Sequence, residues 1–197
     1  VSQSTYGQLG TPELGNVIGG NGGHGIYMSG AGLGNRIQNN RIGVGLDGLA
    51  EVGNGLSGIG GQGVGGTTIG GTGESEANYV GNNGWWGVRL AEDWGGNEVV
   101  RNWIGMAPPG MAFGVNAGGG ARISESTVEN GIKDNWIDGA VGIQLKHTFY
   151  QRIEGNVIGF DPGGSHVSSN LNVGIDLVNA GGNHVGGEVG NAIGGAR

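Results

Sequence analysis

The β-branched residues of this chain are spread singly rather than in runs, and they return in three phases. A first set follows glycine, at Ile26, Val88, Val115, Ile143 and Ile175, with Ile59 as a looser member, and its members recur once in about thirty positions. A second set, Ile37, Ile69, Val99, Ile123, Ile153 and Val185, follows the first at a short and nearly constant interval. The third has the form Asn-x-[Ile/Val], at Asn16/Ile18, Asn40/Ile42, Asn78/Val80, Asn102/Ile104, Asn135/Ile137, Asn156/Ile158 and Asn191/Ile193.

Residues two apart in a strand share a face, so each phase predicts a short strand with one or two inward residues and a Gly or Asn corner. Three such strands in a coil of about thirty residues describe a parallel β-solenoid of triangular section. The step from the third set to the next member of the first is short from Ile18 to Ile26, Val80 to Val88 and Ile137 to Ile143. It is longer from Ile42 to Ile59, Ile104 to Val115 and Ile158 to Ile175. From the second set to the third, the steps Ile37 to Ile42, Val99 to Ile104 and Ile153 to Ile158 are short, and those from Ile69 to Val80, Ile123 to Ile137 and Val185 to Ile193 are longer. Both connections lengthen on alternate coils, so the true repeat is a pair of coils. No ten-residue helical pattern separates the strands, which excludes a doubly wound α/β fold, and coils near thirty residues exclude a hexapeptide helix. The expected architecture is one all-β domain over residues 1–197, about six coils and roughly 30 Å of stack at ~4.8 Å per rung.

Asparagine suits such corners because it tolerates left-handed backbone and its amide both donates and accepts. The seven asparagines of the third set should therefore form a structural ladder, with a shorter one at Asn35, Asn97, Gln151 and Asn183.

Composition changes this picture little. The 51 glycines and four prolines would signal disorder in an aperiodic chain, and only the repeat rescues it. Fifteen Ile and 18 Val against 10 Leu favour strands over helices. A net charge of −7, with nine Lys and Arg and no basic run, leaves nothing to neutralise phosphates, so nucleic acid is not an expected partner. No apolar run reaches membrane-spanning length, so no membrane insertion is expected, and the absence of cysteine removes thiolate chemistry. The chain starts at Val1 without a signal-like segment and ends inside a repeat, which suggests a piece of a longer protein.

Segments such as TTIGGTGESEANYVGNNGWWGVRL, GNHVGGEVGNAIGGA and RIEGNVIGFDPGGSHVSSNLNVGIDL resemble the repeats of right-handed parallel β-helix, pectin-lyase-like domains of large secreted or surface-attached bacterial proteins. The resemblance implies a right-handed coil, an extracellular or cell-surface location and flanking domains of the same chain. It leaves function open, because lyases, hydrolases, epimerases, tailspikes, adhesins and spacers share the architecture.

Candidate chemistry is sparse. Gly23-His24-Gly25 matches one short motif of pectin-degrading hydrolases on this fold, but the partner motifs are absent and Gly-His-Gly is cheap in a glycine-rich chain. Asp47 with Glu51, and Asp161 with Ser165, sit in the two longest connections, either as calcium ligands or as solvated loop acids. No compact catalytic or metal set emerges, and no cofactor is expected. The outward residue of Asn-x-Ile reads Val17, Arg41, Tyr79, Trp103, Trp136, Val157, Ala192 along the stack. Tyr79, Trp103 and Trp136 thus form an aromatic stripe, with Trp85 and Trp86 at a nearby corner. It is open to two readings, a sugar-stacking platform or plain cross-strand packing. The expected function is a recognition or stalk module that binds polysaccharide or a cell-surface glycan through the stripe. Alternatives are a polysaccharide lyase, hydrolase or epimerase, and a spacer without a ligand.

Overall fold

A computed structural model describes residues 7–30, 32–112, 114–160 and 172–194. The chain is a parallel β-helix whose three walls are parallel sheets of seven, seven and six strands, each stacked in sequence order. The first wall runs from Gln8–Leu9 to His184–Val185, the second from Val17–Ile18 to Ala192–Ile193, and the third from Ile26–Ser29 to Val173–Val178. A single 3-10 turn at Glu74–Glu76 is the helical element among the described residues.

The second wall bears out the Asn-x-Ile pattern on every coil. Ile18, Ile42, Val80, Ile104, Ile137, Ile158 and Ile193 align as one column, and the five inner members are fully buried. The asparagines before them form a continuous ladder from Asn16 to Asn191. Each Oδ1 accepts both the backbone N–H and the Nδ2 of the asparagine one coil earlier, at 2.8 to 3.1 Å. Corner backbone groups that the sheets cannot pair are thereby satisfied inside the core.

The first and third walls correct the expected register on the fourth coil. The third-wall column is Ile26, Ile59, Val88, Ala121, Ile143 and Ile175, so Ala121 stands where Val115 was expected, and Val115 lies in the preceding connection. In the first wall the column is Leu9, Ile37, Ile69, Val99, Ile132, Ile153 and Val185. Ile123 belongs instead to a second inward column of the third wall, with Met28, Gly61, Leu90, Leu145 and Leu177.

This shift regularises one alternation and removes the other. From second to third wall, the step from Ile104 to Ala121 now equals those from Ile42 to Ile59 and from Ile158 to Ile175, and a short step precedes each of the three. Between first and second walls no alternation survives, because Val99 to Ile104, Ile132 to Ile137 and Ile153 to Ile158 are equally short on three successive coils.

Corner asparagines explain the register. A further ladder, Asn21 to Asn54 to Asn83 to Asn116, runs at the entry to the third wall with the same paired bonds to Oδ1. Each of these residues stands at the same interval before its column residue, and Asn116 therefore selects Ala121. The shorter ladder gains Asn130 and loses Asn35, running Asn97, Asn130, Gln151 and Asn183. Thr67, whose N–H donates to Asn97 Oδ1, takes the rung between, and Asn35 instead accepts from the Gly7 N–H and donates to the Gly32 carbonyl.

Glycine at the position before each third-wall column residue has a packing cause. A Cβ on Gly25, Gly58, Gly87, Gly120, Gly142 or Gly174 would approach a branched methyl of the second-wall residue beneath it to 2.9 Å or less. None of the six has positive φ, so space rather than backbone freedom requires them. At the exit from the third wall the reverse holds. One left-handed residue turns each coil there, Gly30 and Gly63 at first, then Glu92, Glu125, His147 and Asn179, with φ between 48° and 60°.

Candidate functional site

The second wall presents its alternate positions to the outside, and strand register brings Tyr79, Trp103 and Trp136 side by side on consecutive rungs. All three are half-buried. The Trp103 and Trp136 rings stack with centroids 4.5 Å apart and planes 10° from parallel. Rings this nearly parallel on neighbouring rungs stack face against face, so the faces of the pair point mainly along the stack and much of the outward surface is ring edge. Tyr79 stands on the rung before Trp103, outside this stacked pair. The stripe is therefore a stacked pair with a separate phenol, not a flat platform of three.

Space opens between these groups. A cleft of about 290 Å³ is lined by Glu74, Ala77, Tyr79, Arg101, Trp103 and Trp136, near the small end of the range for ligand pockets. Glu74 belongs to the 3-10 turn in the connection between first and second walls. Arg101 occupies a left-handed corner position with φ 54° and donates from its guanidinium to the Thr72 carbonyl across the same connection. One acid, one base, two indoles and a phenol thus converge on one small opening, a set able to hydrogen-bond hydroxyls while an apolar ring lies alongside.

The corner tryptophans lie elsewhere. Trp86 is buried at the start of a third-wall strand, Trp86–Ala91, where it covers Gly119. Trp85 is half-buried beneath the Arg89 guanidinium, which stands 5.0 Å from its ring centre. Neither lines the cleft on the second wall. Trp94, in another connection, is half exposed.

His24 stacks on Tyr27 at 5.0 Å and sits against Gly60, and burial lowers its basicity. No carboxylate contacts it among the described residues. Asp47 caps its own loop, accepting from the backbone N–H groups of Leu49 and Ala50 at 2.9 Å, and those bonds hold its carboxyl below the usual carboxylate range. Glu51 pairs with Val44 through an antiparallel bridge that closes the same loop. Asp161 and Ser165 lie outside the described residues. No group of three or more His, Asp or Glu placed to hold a metal ion occurs among the described residues, nor does a helix long and apolar enough to cross a membrane.

Two cleft residues, Arg101 and Glu74, are not singled out by sequence reasoning. Arg101 carries a recognisable signal all the same, since it directly precedes a ladder asparagine, where the corner turns the side chain outward. Glu74 carries none, because the course of the connection from Ile69 to Val80 does not follow from its length. Compared with family models, curated proteins and solved structures, the chain finds no match.

Proposed function

We propose that this β-helix is a recognition module of an extracellular or cell-surface protein, and that it binds polysaccharide at the second-wall cleft. The observation that carries this reading is the convergence of the Trp103 and Trp136 rings with Arg101 and Glu74 on one opening. A sugar ring lies against the free face of the indole pair on the Tyr79 side, and Arg101 and Glu74 bond its hydroxyls. Second-wall strands hold the three aromatic residues, so little ordering of those rings accompanies binding. The pectin-lyase-like kinship, with its right-handed coil and flanking domains, belongs to the same proposal and rests on the repeat pattern.

The test is a glycan screen read by tryptophan fluorescence and calorimetry, with Trp103→Ala and Arg101→Ala as variants. Binding to a polysaccharide that either substitution weakens tenfold or more supports the cleft. Absence of any hit returns the chain to a spacer, and release of products from a tested polysaccharide turns the reading toward an enzyme.

A further inference from the structure

The outer face of the third wall carries an arrangement that the second-wall cleft does not explain. Arg89 and Arg122 are direct strand partners, so their backbones stand about 4.8 Å apart and both guanidiniums leave the same face of the sheet. Like charges in direct register are destabilising. Sixteen acidic residues were available to separate or neutralise them, yet neither arginine has an ion pair among the described residues, while Lys133 and Arg152 both do.

Two acids of the same wall have other hydrogen-bond partners. Glu125 holds His147 at 2.7 Å, and Asp176 accepts from Gln144 at 2.7 Å. Two indoles flank the pair, with Arg89 over Trp85 and Arg122 over Trp86. The Nε atoms of both arginines are buried without a hydrogen-bond partner, an uncommon state for so strong a donor. Burial and repulsion from Arg89 lower the basicity of Arg122, and attraction from Glu125 offsets them only in part.

We propose that Arg89 and Arg122 form a binding site for an oxyanion, a sulfate or carboxylate carried on a polysaccharide. Guanidinium forks match such groups with parallel charge-assisted bonds. That the anion belongs to a glycan rests on the proposed function; the oxyanion site itself does not.

The experiment uses the whole chain with three probes, inorganic sulfate, dextran sulfate and neutral dextran, at low ionic strength. The indole N–H signals of Trp85 and Trp86 in the parent protein should shift with sulfate and with dextran sulfate, and not with dextran. The Arg89→Gln/Arg122→Gln double variant should lose at least tenfold in affinity for dextran sulfate by calorimetry. Arg36→Gln, on the first wall, should lose less than twofold. Equal affinity in the double variant, or no shift of either indole in the parent, overturns the site whether or not the variant folds well. Shifts with inorganic sulfate but none with dextran sulfate overturn the polysaccharide as the source. Failure of Trp103→Ala to alter neutral glycan binding bears on the second-wall cleft and leaves this site untouched.

Discussion

Gly87 and Ile104 share one corner of the coil so closely that no β-carbon fits between them. An added Cβ on Gly87 would overlap the Cγ2 methyl of Ile104 and would stand 2.8 Å from the Gly120 carbonyl oxygen. The same relation recurs on all six third-wall strands, which ties the glycine before each of them to the isoleucine or valine of the neighbouring wall.

Gly87→Ala should therefore destabilise the fold by about 1 to 3 kcal/mol, the usual range for overpacking a core. Gly22→Ala and Gly23→Ala should be near neutral, because both positions face open space without positive φ. Urea denaturation of the three variants decides the point, and equal midpoints for all three would contradict the corner packing.

Removing the amide in mid-ladder should cost more. Asn102→Ala strips the acceptor from both the N–H and the Nδ2 of Asn78 and the donor from the Ile69 carbonyl. Several buried polar groups lose partners together, for a loss of roughly 2 to 5 kcal/mol. Asn16→Ala, at the start of the ladder, should cost under about 1 kcal/mol. Faster hydrogen exchange at the Asn78 amide in the first variant checks the mechanism separately from the overall stability.

Asp93 makes stability depend on pH. Its carboxyl is buried in the inner corner, and burial raises it above the usual carboxylate range despite bonds from Asn130, Ser126 and the Gly95 N–H. A raised folded value means that the native state binds this proton more tightly than the unfolded chain does. The cost of the ionised form is therefore fully present above the raised value and is relieved as pH falls from it toward the ordinary carboxylate range. Relative to Asp93→Asn, the parent should gain stability between pH 7 and pH 4. A stability difference that stays constant over that range would show that Asp93 does not titrate as described.

The indole stack is predicted to contribute modestly. Trp103→Ala should lower stability by about 1 to 2 kcal/mol, through loss of the Trp136 contact and of partly buried area. Ile104→Ala, one residue on and fully buried, should cost about 2 to 5 kcal/mol. If the order of the two losses is reversed, the tryptophan is mainly a packing residue.

Chelation should leave thermal unfolding unchanged, since Asp47 already spends one carboxylate oxygen on its own loop. A fall of several degrees on adding EDTA would place a bound cation in the long connections.

The coil and its second wall follow from the amino-acid sequence alone. Asparagine two residues before a β-branched residue marks a short corner, in which one amide must serve the coil before it and the inward side chain follows at once. So tight a local constraint leaves the register no freedom, and Ile42, Val80, Ile104, Ile137 and Ile158 follow from it alone. The outward placement of Tyr79, Trp103 and Trp136 is legible for the same reason. The fourth coil was decided only in three dimensions. Gly114-Val115 imitates the glycine motif, but Asn116 bonds to Asn83 one coil away, and that contact carries Ala121, a small residue with weak sequence signal, into the column. Likewise the stacking of Trp103 on Trp136, the approach of Arg101 and Glu74, and the pairing of Arg89 with Arg122 depend on groups a full coil apart in the chain or on the course of a connection. Strand spacing places such residues side by side, but only the packed rotamers and the folded loop determine which faces remain free.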